Sequence, residues 1–292
     1  MNGLKKHRVI KVTPLRRVVQ LVVFGVIILT AYVTANPFEW SPSRIVLGHL
    51  PPPSVLPVSG DTWVYTIGGF RLVHPMALID GIFAMKVFYI PLLIGVVIPL
   101  ITTILLGRVF CSWLCPFGFL LELNQKVHNS LKMVGLKREI KIPDIRNLFL
   151  IIILTLSFFL YTPVLSAIDP PHMLGREFMY LFTHHSLSVT GLSILLGIIL
   201  FEGLFSQRGW CGSLCPAGGG LSLLGAKRVL RIELDSELCT ECSKCNEVCP
   251  YSLAPMRLKE DTSNFDWTKC DNCGLCRDVC PTGAIRYKLK GR

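Results

Sequence analysis

Apolar segments without charge alternate with basic segments along most of this chain. Four of the apolar segments show no polar face, and they span approximately residues 18–35, 87–107, 148–168 and 186–205. Each approaches the roughly 20 residues that an α-helix needs to cross a bilayer. A buried helix of a soluble protein is the alternative, but such a helix usually keeps a polar side. The pattern predicts a mainly α-helical membrane protein with four transmembrane helices.

Composition supports this prediction and adds a smaller polar part at the C-terminus. Of the 292 residues, 51% are hydrophobic and 17% are charged, and the mean hydropathy is +0.52. These values are typical of a membrane protein with a minor soluble region. We expect a transmembrane domain over residues 1–225 and a soluble domain over residues 230–292.

The distribution of basic residues indicates the orientation of the helices. Lys and Arg number 6 in residues 1–17, 7 in 108–147 and 13 in 206–292, against 3 in 36–86 and 1 in 169–185. Basic loops stay in the cytoplasm, so both termini and the soluble domain are expected there, in a multi-pass protein of the bacterial inner membrane. This topology explains the net charge of +11 without a nucleic-acid partner, and we expect none.

The first apolar segment has a second interpretation as a cleaved signal peptide. Basic residues precede it, among them Lys5, Lys6 and Arg8, and Val33-Thr34-Ala35 resembles a cleavage site. The apolar run is long for a signal peptide, which favours a retained membrane anchor. Cleavage would leave the orientation of the other three helices unchanged.

Eight of the twelve cysteines form two copies of one pattern near the C-terminus. Three cysteines are separated by two-residue gaps, a fourth follows after three residues, and a proline comes next. The copies are Cys239, Cys242, Cys245 and Cys249 before Pro250, and Cys270, Cys273, Cys276 and Cys280 before Pro281. Bacterial ferredoxins have this spacing, and there the fourth cysteine ligates the other cluster.

The ferredoxin pattern predicts two [4Fe–4S] clusters and therefore one-electron transfer. One cluster would take Cys239, Cys242, Cys245 and Cys280, and the other Cys270, Cys273, Cys276 and Cys249. Structural zinc sites usually pair Cys-x2-Cys units across a longer gap. All twelve cysteines fall on the side expected in the reducing cytoplasm, which disfavours disulfides. The soluble domain is thus expected to be a small α+β ferredoxin-like unit, with short strands near residues 232–234 and 284–287.

The other four cysteines belong to an internal repeat. Arg108-Val-Phe-Cys111-Ser-Trp-Leu-Cys115-Pro116-Phe-Gly118 returns as Arg208-Gly-Trp-Cys211-Gly-Ser-Leu-Cys215-Pro216-Ala-Gly218. Each copy follows the second helix of a predicted hairpin, which indicates two duplicated hairpins whose corners face the same side. On a helix, the i, i+4 spacing would place both sulfurs of a copy on one face.

These corner thiols have several candidate roles. Cys111, Cys115, Cys211 and Cys215 would bind a metal, form a thiol–disulfide pair or line a quinone-side redox site, or else pack as small buried residues. Their spacing differs from the ferredoxin pattern, so a third cubane is not expected. We further expect an amphipathic surface helix at residues 117–135 or ordinary core packing there, little regular structure before about residue 75, and a linker beginning at Gly218.

With these motifs in place, the chain resembles the NapH family, the membrane quinol dehydrogenase subunits of periplasmic nitrate reductase systems. The resemblance lies in the four apolar helices, both Cys-x3-Cys-Pro corners, the two ferredoxin runs and the stretch Asp169-Pro-Pro-His-Met-Leu-Gly175-Arg176. Related groups are the nitrous-oxide reductase regulators, the copper-handling factors of oxidase assembly and the methylamine-utilisation ferredoxin-like proteins. The last group is close to this chain in size.

The resemblance implies that the chain oxidises quinol from the membrane pool. Electrons would pass to a ferredoxin-type iron–sulfur subunit and, through c-type cytochromes, to a nitrate reductase. Because that reductase is exported while the clusters are expected inside, electrons would have to cross, and the chain has no haem-attachment Cys-x-x-Cys-His. The alternatives are an assembly or maturation factor that supplies electrons to another protein's cofactor, and a scaffold for electron-transfer partners.

Quinol oxidation also requires a proton acceptor near the quinone head. Ionisable residues that change charge near neutral pH, or that lie in a membrane segment, are the candidates. Wetted polar loop residues are the alternative for each of them. Eight were expected at the outer membrane edge and one near the inner end of the fourth helix: His74, Asp80, Asp169, His172, Arg176, Glu177, His184 and His185, and Glu202.

Overall fold

The computed structural model describes residues 11–35, 58–60, 63–67, 70–88, 90–133, 142–205, 208–259 and 265–290. The basic residues Lys5, Lys6 and Arg8, and about half of the predicted exported loop (residues 36–86), lie outside these ranges. The α-helices before the C-terminal unit are α1 (Val12–Ala35), α2 (Pro75–Met85), α3 (Ile90–Leu106), α4 (Pro116–Met133), α5 (Arg146–Leu160), the short α6 (Val164–Ile168), α7 (Pro170–His184), α8 (Val189–Leu204) and α9 (Pro216–Leu224).

Four of these helices correspond to the predicted spans, with shifted boundaries. The third predicted span is wrong in detail, because α5 ends at Leu160, where Tyr161 adopts a left-handed conformation (φ 53°) before Pro163. In the described part of the chain, only α1, over Val12–Tyr32, is both long and apolar enough to cross a membrane. Shorter apolar helices are α2, α3, α5 and α8. The protein is mainly helical, as predicted.

A small sheet precedes α2, where little regular structure was expected. Its strands are β1 (Val58–Gly60), β2 (Val64–Ile67) and β3 (Phe70–Val73), paired antiparallel in the order β1-β2-β3. Strand β3 packs along α3, where a Cβ on Gly95 would lie only 2.5 Å from the Arg71 carbonyl oxygen. The loop therefore folds back onto the helices.

The two repeats pack against each other crosswise. Helix α4, which follows the first corner, packs on α8, which precedes the second; Asn124 donates to the Ile199 carbonyl oxygen (2.8 Å). Helix α9, which follows the second corner, packs on α3 and α5. The residues from Gly218, expected to start a linker, instead lie buried inside α9. The crossing brings both corners to one end of the helical bundle.

Helix α4 buries its first two turns. Phe117 and Leu121 are almost fully buried in an apolar cluster with Met173 and Leu195. The side chains beyond residue 125 of this helix lie outside the described part. Core packing, one of the two expectations for residues 117–135, is what its first two turns show.

The C-terminal region forms a small α+β unit. Strands β4 (Leu230–Leu234) and β5 (Ile285–Leu289) pair antiparallel, with Leu230 opposite Leu289 and Leu234 opposite Ile285. One short helix contains the third cysteine of each ferredoxin run: α10 (Lys244–Glu247) contains Cys245, and α11 (Leu275–Val279) contains Cys276. The two predicted strands are confirmed, each extended by about two residues.

Helix α1 is joined at its N-terminus to this C-terminal unit. The Asp278 carboxylate accepts hydrogen bonds from the backbone N–H groups of Val12 (2.9 Å) and Thr13 (2.6 Å). A negative side chain there satisfies free N–H groups and opposes the positive end of the helix dipole. The first turn of α1 and the C-terminal unit therefore lie at the same end of the bundle.

Candidate functional site

The eight ferredoxin cysteines line two separate cavities, four around each. The outer cavity is lined by Cys239, Cys242, Cys245 and Cys280. The inner one is lined by Cys249, Cys270, Cys273 and Cys276. In each case the fourth cysteine comes from the opposite run, which is the exchange expected from the spacing. The geometry and the soft thiol donors fit an iron–sulfur cluster in each cavity.

Within the part of the chain that the structure describes, no three Cys, His, Asp or Glu side chains are grouped to hold a single metal ion. Burial raises the pKa of Cys270 to about 11, and the charge of Arg228 acts in the opposite direction. Loading of the cavity must therefore displace a proton.

Each Cys-x3-Cys-Pro corner is one turn of π-helix, not a continuation of the preceding α-helix. The N–H of Cys115 donates to the Phe110 carbonyl oxygen (2.8 Å), and the N–H of Cys215 donates to that of Trp210 (2.7 Å). Pro116 and Pro216 then begin α4 and α9. Proline suits the first position of a helix because its missing N–H would have no partner there.

The second cysteine of each corner accepts a hydrogen bond from the following helix. The N–H of Gly118 donates to Cys115 Sγ (3.2 Å), and the N–H of Gly218 donates to Cys215 Sγ (3.3 Å). Two separated segments of the chain thus build the same local structure. The sulfur takes the role that a Ser or Asp oxygen has in an ordinary helix cap.

The four corner thiols converge on one buried region. Besides burial, the charges of Cys211 and Cys111 raise the pKa of both Cys115 and Cys215. Arg108, which is fully buried, spans the two corners, because its Nη2 contacts Cys111 Sγ (4.0 Å) and donates to the Cys211 carbonyl oxygen (3.2 Å). The two corners therefore lie close together, as the repeat predicts.

The inner cysteine cavity rests directly on the first corner. Ser112 Oγ donates to the Asp271 carbonyl oxygen (2.7 Å), and Arg108 Nη1 donates to that of Thr268 (3.2 Å). The buried Arg228 donates to the Cys270 carbonyl oxygen (2.6 Å) and to that of Trp267. Several hydrogen bonds thus fix the loop that carries Cys270 and Cys273 against the corner thiols.

A buried polar pocket lies on the other side of the corners. Trp63 Nε1 donates to Asp169 Oδ2 (2.8 Å), and the Trp63 ring packs on His172 (centroids 4.9 Å apart). The ring of His74 contacts Phe110 of the first π-turn (4.6 Å). His74, Asp169 and His172, which were expected at the outer membrane edge, thus lie close together beside the first corner. The folded-back sheet and the short helix α6 bring them to the corners.

Burial determines the electrostatics of this pocket. It lowers the pKa of His74 to about 4, so the imidazole is neutral near pH 7. His74 Nδ1 accepts from the Met76 N–H (3.2 Å), which leaves Nε2 as the protonated nitrogen. Burial also raises the pKa of Asp169 to about 6, against the effect of the Trp63 hydrogen bond. Asp169 Oδ1 and His74 Nε2 are buried without a hydrogen-bond partner among the described residues.

The remaining predicted residues lie elsewhere. Asp80 accepts from Ser157 Oγ (2.7 Å), Glu177 from the Ser188 N–H (3.1 Å) and Glu202 from the Trp210 N–H (2.9 Å), so all three hold local structure. Arg176 is half-buried on α7, and His184 and His185 are exposed at its far end. The sequence did not indicate a role for Trp63, because a single tryptophan in a loop rich in Pro and Gly belongs to no motif or periodic pattern.

Comparison with protein families supports the iron–sulfur assignment. A model described as a 4Fe-4S binding domain matches residues 89–134 and 187–233, which are the two corner repeats. A model described as a 4Fe-4S dicluster domain matches residues 238–285. No solved structure matches this chain.

Curated relatives then decide the family. The methylamine utilization ferredoxin-type protein MauN of Methylobacillus flagellatus is 30% identical over 258 residues, which cover 85% of this chain and 80% of the relative. The chain belongs to the family of ferredoxin-type proteins that includes MauN and NapH.

The NapH relatives align over a smaller part. The ferredoxin-type protein NapH of Haemophilus influenzae is 33% identical over 59% of this chain, and that of Escherichia coli is 32% identical over 54%. The chain spans 58% and 53% of the lengths of these two relatives. The NapH resemblance is thus confirmed, and the family members are ferredoxin-type electron-transfer proteins.

Proposed function

We propose that this chain oxidises quinol in the bacterial inner membrane and passes the electrons through two [4Fe–4S] clusters to a partner redox protein. One observation carries the proposal. The buried pocket of Trp63, His74 and Asp169 adjoins the corner thiols, and these adjoin the inner cysteine cavity. The proposed site of the electron donor is therefore connected to the iron–sulfur domain by a continuous series of contacts.

The pocket offers a matched donor and acceptor to a quinol head. Asp169 Oδ1 is free to accept the hydrogen bond of a quinol hydroxyl group and then one of the two protons that the quinol loses. Asp169 must release this proton before it accepts the second. His74 Nε2–H is free to donate to an oxygen of the same ring. Trp63 orients the carboxylate through its indole N–H. A raised carboxylate pKa and a neutral imidazole suit proton transfer in a site that excludes water.

The clusters would be held by the two groups of four thiolates that line the cavities. When bound, each cluster supplies a one-electron acceptor, so two clusters match the two electrons that a quinol releases. Arg228 and Ser112 hold the inner cysteine loop against the corners. The outer cavity opens at the exposed Cys242, where a partner protein has access.

Several features support a multi-pass membrane location. Helices α1, α3, α5 and α8 expose large apolar side chains, for example Leu21, Ile94, Ile151 and Leu200. Such continuous apolar surface is typical of contact with lipid. The N–H groups of Val12 and Thr13 donate to Asp278, so the first turn of α1 lies beside the ferredoxin domain, which agrees with a cytoplasmic side for both. These hydrogen bonds also favour a retained α1.

We base the proposed partner and physiological role on the relatives. NapH relatives favour a ferredoxin-type subunit, c-type cytochromes and a nitrate reductase system. The alternative is a maturation factor that supplies electrons to another enzyme's cofactor. The MauN relative, which aligns over 85% of this chain, is a methylamine utilization ferredoxin-type protein, so a shared role would connect the chain with a system other than nitrate reduction.

Quinol reduction of the clusters tests the proposal. The full chain, purified in detergent and reconstituted anaerobically, would be mixed with a soluble quinol analogue while the visible absorbance of the clusters is followed. We expect bleaching in the natural protein. Asp169→Asn and His74→Gln should slow it roughly 100-fold, since a positioned acid or base contributes a factor of that order.

A variant on the same helix provides the control. His185→Asn changes an exposed histidine at the end of α7, at a left-handed position that asparagine tolerates (φ 51°), and should bleach at the natural rate. Loaded clusters that stay oxidised with every quinol, yet accept electrons from dithionite, would refute quinol oxidation and favour the maturation function.

A further inference from the structure

Arg228 is a fully buried cation whose charge the proposed function does not use. It lies between helix α9 and strand β4, where the helical bundle meets the C-terminal unit. We propose that the positive charge of Arg228 raises the reduction potential of the cluster in the inner cavity. The inference rests on that cluster, which is part of the proposed function, but it does not depend on quinol as the electron donor.

The guanidinium group of Arg228 contacts the loop that carries a cluster ligand. Its Nη1 donates to the Cys270 carbonyl oxygen (2.6 Å), and its Nη2 donates to that of Trp267. Its Nε donates to the Gly225 carbonyl oxygen (3.1 Å). All three acceptors are neutral, so a neutral donor could make such hydrogen bonds without the cost of burying a charge. The charge therefore calls for a role of its own.

The backbone around Arg228 leaves room for this side chain and fixes its position. Gly107 has a left-handed conformation (φ 80°), and a Cβ there would lie only 2.6 Å from Arg228 Nε. The N–H of Val229 donates to the Leu105 carbonyl oxygen (2.9 Å), which attaches the next residue of the chain to the end of α3. The charge is thus held at a defined place beside the inner cavity by both the bundle and the C-terminal unit.

The neighbours of Arg228 leave a surplus of positive charge. Burial lowers the pKa of Arg228, the charges of Cys270 and Asp271 oppose this effect, and those of Arg108 and Arg231 add to it. The guanidinium nevertheless stays protonated, since the ordinary pKa of arginine is above 12. Arg228 takes part in no ion pair formed by the described residues. A thiolate-ligated cluster in the inner cavity is anionic and would compensate this charge.

The two cavities differ in what stabilises a reduced cluster. Reduction adds one electron, and therefore one negative charge, to the cluster. The outer cavity opens at the exposed Cys242, where water stabilises that charge and screens the exposed Lys244 of its lining. Cys270 and Cys276 of the inner cavity are buried, so a nearby cation in a medium of low dielectric constant takes over this role. Arg228 would thus make the buried cluster easier to reduce.

Potentiometric titration of the full chain tests the inference. The natural protein, Arg228→Gln and Arg228→Lys would be loaded anaerobically with iron and sulfide and poised with dithionite and redox mediators, while the paramagnetic signals are recorded. Glutamine keeps a hydrogen-bond donor without the charge, whereas lysine keeps the charge. At a given potential, Arg228→Gln should lower the ratio of reduced to oxidised inner cluster about tenfold, which is about 59 mV for one electron. Arg228→Lys should stay near the natural value.

Three further variants assign the signals and control for the loss of an arginine. Cys270→Ser identifies the inner signal by its loss, and Cys242→Ser identifies the outer one. The outer signal should keep its potential in both Arg228 variants. In Arg286→Gln the lost arginine is exposed and also donates to a backbone carbonyl oxygen, that of Gly283 (3.3 Å), so neither potential should shift.

An unchanged inner potential in Arg228→Gln would overturn the inference, and so would an equal fall in Arg228→Lys, because hydrogen bonding rather than charge would then set the potential. If Arg228→Gln takes up no inner cluster, Arg228→Lys decides: a natural potential supports the inference, and a lowered one overturns it. A natural protein without a cluster in the inner cavity would overturn this inference together with the two-cluster part of the proposed function. The titrations use no quinol, so a failure of quinol oxidation would overturn the proposed function alone.

Discussion

Single residues decide the geometry of the corners, and glycine shows this most clearly. A Cβ on Gly118 would lie 2.6 Å from the Cys111 carbonyl oxygen, a backbone atom that cannot move away cheaply. At Gly218, in the second copy, the nearest atom would be Arg108 Nη2 at 3.4 Å, the end of a side chain. The space next to the glycine is therefore smaller in the first copy of the motif than in the second.

This difference leads to a prediction for stability. Gly118→Ala should destabilise the protein by about 1–3 kcal/mol through overpacking, and Gly218→Ala should cost clearly less. Gly197→Ala is the control, because a Cβ there meets nothing within 4 Å on helix α8, and alanine favours a helix by up to roughly 1 kcal/mol. Thermal unfolding in detergent measures all three. Equal losses at positions 118 and 218 would contradict the account.

At the scale of elements, α1 is held by charge as well as by apolar contact. Arg16, almost fully buried, pairs with Glu122 of α4, and Gln20 donates to the same carboxylate (3.2 Å). Together with the hydrogen bonds to Asp278, these contacts attach the first turns of α1 to α4 and to the C-terminal unit. Cleavage after residue 35 would remove the partners of the buried Glu122 carboxylate and of the Asp278 carboxylate. This favours retention of the helix.

Removal of one partner should therefore weaken the attachment of α1. Glu122→Ala leaves Arg16 buried and uncompensated, and we expect a loss of about 3 kcal/mol in the free energy of unfolding. Glu233→Ala removes the carboxylate of an ion pair with Lys288 that is half exposed. Such surface pairs contribute at most about 1 kcal/mol, so this variant should change little. Chemical denaturation followed by circular dichroism measures the free energy of unfolding of both variants. A similar loss in both would show that the Arg16–Glu122 ion pair does not stabilise the protein.

For the whole molecule, the two ferredoxin cavities differ in exposure. Cys242 of the outer cavity is exposed, whereas Cys270 and Cys276 of the inner one are buried against the helical bundle. The inner cavity faces the corners and the outer one faces solvent. This order would direct electrons from the buried pocket towards a docked partner.

The same order predicts how iron is lost. A chelator added to the loaded protein should remove iron in two phases, the outer cluster first, because only that cavity is open at a ligand. Cys242→Ser should lack the fast phase and keep the slow one. Iron release followed by absorbance of the chelate measures the rates. A single phase in the natural protein would show that the two sites are equally accessible.

The sequence by itself determined the mainly helical class, the ferredoxin-like domain with its strands, the exchange of the fourth cysteines between the two runs and the repeat of the corners. Those features depend on spacing and periodicity, which are local and therefore readable along the chain. Only the tertiary structure decided that the loop before α2 forms a sheet, that the third apolar segment breaks at Tyr161 and that Gly218 lies in a helix. Only the tertiary structure places His74 and Asp169 beside the corner thiols. The sequence around a polar loop residue looks the same whether its side chain is exposed to water or buried. Distance between remote segments is set by packing, and no local pattern encodes it.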